Sequence, residues 1–182
     1  GQLCTVPLWQ SSYLAEIVDS PTVANGIVYV GSQTSFNDGS GKLNAFDAKG
    51  CGQSVCQPLW QGRAGHYTSY SSPVVWNGFV FLGSYDGFVY AFNAEGCGNK
   101  LCDPLWAGKA GGGVNSTPAI YKGMLLVGSD DGKLNAFKAK GCGKAICRPK
   151  WTGDIHGPAF ESSPAIANGV VYIGSNHALS AF

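Results

Sequence analysis

The chain has 182 residues, enough to bury a sizeable core, but only 13% of them are charged and the net charge is +1. No basic stripe runs along it, which excludes the electrostatic footprint of a nucleic-acid binder, so no nucleic-acid partner is expected. No apolar run approaches the roughly 20 residues that a membrane-spanning helix needs, so no membrane span is expected.

In chain order, Cys4 to Trp9 reads as a lone strand, and an alternating apolar segment then follows Pro21. The turn Asn25-Gly26 and the β-rich run Ile27 to Val30 come next, since Asn-Gly between apolar runs is a type I′ hairpin signal. A second turn at Asp38-Gly39 leads to Leu43-Asn-Ala-Phe46, a cysteine loop, and Leu59-Trp60. The same series recurs three more times. The leading prolines are Pro21, Pro73, Pro118 and Pro164, 45–52 residues apart. That period is the signature of a propeller or an array whose units bury their faces against one another. We label the strands of each repeat A to D. The expected fold is all-β, a propeller of four-stranded antiparallel blades with four blades in this chain. Blade 1 covers 10–60, blade 2 covers 61–106 and blade 3 covers 107–151. Blade 4 covers 152–182 and takes 1–9 as its closing strand, from its own or a neighbouring chain.

Seven cysteines follow the same period. Cys51/Cys56, Cys97/Cys102 and Cys142/Cys147 each sit in Gly-Cys-Gly-x-x-x-Cys, and Cys4 matches the second member of such a pair. Regular pairs point to disulfides and an oxidising compartment, extracellular or periplasmic. The competing reading, zinc, has only half a ligand shell in each pair. The chain starts at Gly1 without a leader, as a mature form or a cut piece would.

Ser-Pro-Ala-x-x-x-Asn-Gly-x-Val-Tyr-x-Gly-Ser, then Asp-Gly-x-x-x-Ala-Phe-x-Ala and a late Trp, resembles the pyrroloquinoline-quinone-like (PQQ-like) β-propeller repeat over nearly the whole chain. The resemblance implies that Ala and Trp of each repeat interlock the blades, here Ala45/Trp60, Ala91/Trp106 and Ala136/Trp151. Trp9 joins this structural series because it recurs with the repeat, whereas Trp76 does not. The pattern departs from the family in the stapled cysteine loop. It departs again at the acidic residue after the strand C motif, which is Asp47 but then Asn93 and Lys138. The family builds seven or eight blades as a rule, so half of an eight-bladed ring or a fragment is expected, with a closed four-bladed ring as the alternative. Open edge strands predict self-association.

Because strands alternate in direction, A–B turns and cysteine loops share one face, and D–A and B–C loops share the other. The second face varies from repeat to repeat and is where binding is expected. Its candidate residues are Arg63, His66, Tyr67, Tyr70, Asp154, His156 and Glu161. Asp38, Asp86 and Asp131 each precede Gly and read as turn formers rather than calcium ligands. No catalytic or metal motif is present in the sequence. The leading reading is a secreted binding or assembly module for a protein or saccharide ligand, without a cofactor. One alternative is part of a quinoprotein oxidoreductase using pyrroloquinoline quinone and calcium, with its active site in other blades. Another is a subunit of an extracellular filament.

Overall fold

The computed structural model describes residues 6–14, 16–17, 19–33, 40–68 and 70–182. All regular structure among them is β. Blade 1 pairs Thr22–Ala24, Ile27–Ser32, Lys42–Asp47 and Trp60–Arg63 as strands A to D, each antiparallel to its neighbour. Blade 2 does the same with Val74–Trp76, Phe79–Ser84, Phe88–Asn93 and Trp106–Lys109. Blade 3 uses Ala119–Tyr121, Met124–Ser129, Lys133–Lys138 and Trp151–Asp154. Blade 4 has Ala165–Ala167, Val170–Gly174 and Leu179–Ala181.

The turns are built as the sequence implies. Asn25, Asn77 and Asn168 have φ of 50°, 48° and 50°, each followed by a glycine that is also left-handed. That is the type I′ geometry whose twist matches the flanking strands. Lys122 adopts the same conformation at 46°, so the turn is imposed there on a residue that does not favour it. The Phe88 amide donates to Asp86 Oδ1 at 3.1 Å, as a turn-forming aspartate requires. Asp38-Gly39 lies outside the described residues. Asp47 Oδ1 accepts the Lys49 amide at 2.8 Å, and Asn93 keeps the equivalent bond with the Glu95 amide at 2.9 Å.

The cysteine pairs form disulfides within each loop, with Cα separations of 5.6 Å for Cys51–Cys56 and 5.8 Å for both Cys97–Cys102 and Cys142–Cys147. The loops also do something that the four-strand reading of a blade omits. Each holds a two-residue strand that pairs in parallel with the strand preceding its own blade. Leu101–Cys102 lies beside Gln61 and Gly62, and Ile146–Cys147 beside Ala107 and Gly108. Val55–Cys56 lies beside Gln10–Ser11. The Gln61 amide donates to Lys100 O and the Ala107 amide to Ala145 O, each at 2.8 Å. Blades 1 and 2 therefore carry five strands, the fifth being a clasp from the following blade.

The tryptophans fill the seams beneath these clasps. The Trp60 indole lies across Gly96, the first residue of Gly-Cys-Gly in blade 2, where an added Cβ would stand 2.7 Å from Trp60 Cδ1. Gly141 meets Trp106 in the same way at 2.8 Å, so only glycine fits under the ring. Each indole then packs on a phenylalanine of the next blade: Trp60 on Phe92 with centroids 6.3 Å apart, Trp106 on Phe137 at 6.4 Å. Ala45, Ala91 and Ala136 sit opposite Trp60, Trp106 and Trp151 in the ladders and are fully buried. The small side chain on strand C makes the room that the indole uses. Three apolar clusters result, one at each seam, the largest joining Phe81, Val89, Leu125 and Phe137 around Trp106.

A second belt runs along the inner strands. The Ser20 amide donates to Ser72 Oγ, that of Ser72 to Thr117 Oγ1, and that of Thr117 to Ser163 Oγ, at 3.1, 3.0 and 3.0 Å. The repeated Ser-Ser/Thr-Pro thus links each blade to the next through one hydroxyl.

Among the described residues the blades do not close into a ring. Leu179–Ala181 pairs only with Val170–Gly174 among the described residues, and Gln10–Ser11 only with the Val55–Cys56 clasp. Trp9 packs on Phe46 of blade 1 with centroids 5.7 Å apart, the same contact that Trp60 makes with Phe92. The chain is therefore a partial propeller, and the closed four-bladed alternative is not formed. Cys4 lies outside the described residues. No helix among the described residues is long and apolar enough to cross a membrane.

Trp60 and Trp106 are each 4% exposed, and their indole nitrogens have no hydrogen-bond partner, so they act by packing alone. Trp106→Ala should destabilise the fold by about 3–5 kcal/mol in urea unfolding. Trp76→Ala, at a half-buried position, should cost clearly less. Equal losses would show that the indole does not hold the seam.

Candidate ligand-binding face

The two faces are used differently. On the cysteine face the loops are committed to clasping the preceding blade. Lys100 Nζ adds to this by donating to the carbonyls of Pro58 and Leu59 at 3.4 Å. The B–C and D–A loops of the other face carry the side chains that vary between repeats.

The seven residues expected on that face do not form one site. Arg63 is placed at the outer edge by its strand and pairs with Asp103 of the next blade at 2.6 Å, both exposed, so it serves the seam. His66 and Glu161 are exposed. Asp154 accepts Lys133 Nζ at 3.0 Å and the His156 amide at 2.9 Å. The His156 amide and then the Lys133 ammonium hold its carboxyl below the usual range. His156 Nδ1 stands 3.7 Å from Asp154 Oδ1, and its φ of 59° is the price of bringing the chain round at that point.

Tyr67 and Tyr70 do come together, and they recruit a third ring that the sequence reading missed. Tyr67 lies 6.1 Å from Tyr70 and 6.5 Å from Tyr85 by centroid, the second pair edge-on at 81°. With Asn115 these rings line a cavity of about 240 Å³. Tyr67 is buried, its hydroxyl bonded to the Gln33 and Tyr70 side chains, while Tyr70 and Tyr85 are 44% and 58% exposed and form the rim. Tyr70 has φ of 72°, in the left-handed region that a tyrosine rarely occupies. Asn115 Nδ2 donates to Asp130 Oδ2 at 3.2 Å behind the cup. Burial first, and then the Asp131 charge, push the Asp130 carboxyl up, against an opposing bond from the Phe160 amide.

The signal for Tyr85 and Asp130 was available in the repeat. The residue after Gly-Ser at the end of strand B is Gln33, Tyr85, Asp130 and Asn176 in the four blades. A position that changes this much inside a regular motif marks a loop surface rather than a core.

The model of the family described as outer membrane protein assembly factor BamB matches residues 6–182. The chain belongs to this family. Among solved structures it is similar to BamB from Moraxella catarrhalis, with 18% identity and a TM-score of 0.62, over 92% of this chain and 47% of that one. It is also similar to the computationally designed Ika4 protein, at 16% identity and a TM-score of 0.62, over 94% of this chain and 92% of that one. The designed Ika8 protein matches at 16% identity and a TM-score of 0.61, over 89% and 44%. The BamB-family chain thus spans about half the length of the M. catarrhalis BamB and of Ika8. At these identities the likeness concerns the fold. No curated protein sequence matches the chain.

In this BamB-family chain, no three potential metal ligands cluster among the described residues.

One further residue on this face breaks the repeat. In blades 2 to 4 a serine hydroxyl accepts the strand B glycine amide: Ser71 from Gly83, Ser116 from Gly128 and Ser162 from Gly174, at 2.8, 3.1 and 2.9 Å. Blade 1 has Asp19 there, with Oδ2 accepting the Gly31 amide at 2.7 Å and Oδ1 buried without a partner. Burial pushes its pKa from 3.8 up to about 7, although the Gly31 bond acts the other way. The stability that depends on neutral Asp19 is full below pH about 4 and is lost as pH rises through about 7, because the unfolded chain releases this proton more readily. Asp19→Ser should stabilise the chain at pH about 8 by up to about 4 kcal/mol, with the gain fading toward pH about 4. Thermal unfolding of both forms across that range checks it, and a gain independent of pH would contradict the burial of a charge.

Proposed function

We propose that the chain is a binding or assembly module of an oxidising compartment outside the cytoplasm, presenting its B–C and D–A loops to a protein partner. The observation that carries this reading is the division between faces. The cysteine loops are consumed by interblade clasps, whereas the opposite face holds an open aromatic cup between blades 2 and 3. Three disulfides fit a periplasmic or extracellular site, since thiols in reducing compartments stay unpaired. The description of the matched family, an outer membrane protein assembly factor, agrees with an assembly role.

The assembly half of the reading rests on the seam left open at blades 3 and 4. Trp151 is 41% exposed, Phe182 equally so, and Leu179 on the unpaired strand C is 75% exposed. These are the groups that a further repeat covers at the other seams, so self-association or continuation by another repeat is expected there.

Photo-crosslinking tests the face assignment. A benzophenone amino acid placed at Tyr85 or His156 should crosslink to a partner in extracts of the compartment. The same group at Lys100 or Lys144, on the cysteine face, should not. Crosslinks from the cysteine face alone would reverse the assignment.

A further inference from the structure

We propose that the cup of Tyr67, Tyr70, Tyr85 and Asn115 binds the cationic head of a basic side chain, arginine or lysine, presented by a partner polypeptide; the proposal rests on reading the loop face as the binding face.

The walls come first. Three tyrosine rings surround a cavity of about 240 Å³ whose only other lining residue, among the described residues, is Asn115. Aromatic faces attract a cation through the ring quadrupole, and several rings around one cavity form a cage for an ammonium or guanidinium group. The rims, Tyr70 and Tyr85, are exposed, so the cavity opens to solvent on the loop face. The left-handed backbone of Tyr70 keeps its ring beside Tyr67.

The floor supplies the charge. Asp130 and Asp131 are adjacent, and neither takes part in an ion pair among the described residues. Asp130 reaches the cup through Asn115, and also through Gly113: a Cβ there would stand 2.7 Å from Asp130 Oδ2 and 2.9 Å from Tyr85 Cδ2. Glycine at this point lets the carboxylate and the ring converge. Among the described residues, Asn115 Oδ1 is left unpartnered in this neighbourhood, and it is an acceptor. Acceptors and negative charge behind the ring faces complement a donor cation. A neutral sugar needs acceptors and donors together, and the cup lining offers it few polar groups.

A basic side chain fits better than a free inorganic ion. The ring faces favour a weakly hydrated head on an apolar stem, which is how arginine and lysine present their charge. The unpaired carboxylates draw the same group from a distance.

The test is an amide NMR titration of the full chain with Ac-Gly-Arg-Gly-NH2, its isosteric citrulline counterpart and a neutral disaccharide. The arginine peptide should produce saturable shifts at Tyr70, Tyr85, Gly113 and Asn115. The citrulline peptide should bind about tenfold more weakly or not at all. Asp130→Asn, which keeps shape and removes charge, should lower the arginine affinity about tenfold. Tyr85→Ala, at an exposed rim position, should abolish the shifts while the rest of the spectrum stays folded. Equal binding of citrulline or of the disaccharide at these residues overturns the cation assignment, and silence with every probe overturns the site itself. Neither result would move the crosslinks from Tyr85 and His156, so the face assignment is judged separately.

Discussion

Blades 1 and 2 are each held to the next by one indole under one clasp. The Trp60 ring is closed in by Ala45 beside it, Gly96 above it and Phe92 across the seam. The Trp106 ring sits in the same way among Ala91, Gly141 and Phe137. The glycine and phenylalanine contacts cross the seam, because a four-stranded meander leaves an apolar face that it must bury against a neighbour. The disulfide makes the arrangement workable. A two-residue parallel strand has little intrinsic stability, and closing the loop with a disulfide contributes about 2 kcal/mol by restricting the unfolded chain. The stapled loop then offers its edge carbonyls, Lys100 O and Ala145 O, in a fixed place.

This construction explains where variation is tolerated. Cysteine loops must repeat closely because each must fit a Trp, a glycine backbone and a neighbour's strand edge at once. Loops on the other face meet no such demand, and there the four repeats diverge. Ser71, Ser116 and Ser162 become Asp19, and the equivalents of Tyr85 become Gln33, Asp130 and Asn176. The departures introduce a buried carboxylate at Asp19, a second carboxylate at Asp130 and a cup of rings. Polar groups that a fold could have avoided are what a binding surface tends to keep.

Much of the fold was legible because the repeat supplies its own punctuation. Asn-Gly, Asp-Gly and the Gly-Cys-Gly loop fixed the turns, and the Ala–Trp spacing fixed which side chains meet. The clasp was not legible, since two residues paired in parallel leave no periodicity in a sequence. The Arg63 pairing was not legible for the same reason: the register of Leu101–Cys102 against Gln61 and Gly62 brings Asp103 beside it. On the loop face, Tyr67 and Tyr70 were singled out by their place in a variable loop, and their rings meet there. Tyr85 and Asp130 carry their signal in the variation of the residue after Gly-Ser, although their place in tight B–C turns also suits a turn former. Their convergence across the blade 2–3 seam depends on Gly113, whose role appears only in three dimensions.

The clasp can be tested within one molecule by native-state hydrogen exchange. The outward amides of Gln61 and Ala107 donate to clasp carbonyls, whereas Thr152, at the equivalent place on Trp151–Asp154, has no clasp among the described residues. In a monomeric preparation, Gln61 and Ala107 should be protected nearly as well as the central strands, and Thr152 should exchange fast. Gln61 and Ala107 exchanging as fast as Thr152 would contradict the account, because the clasps would then not be holding the blades.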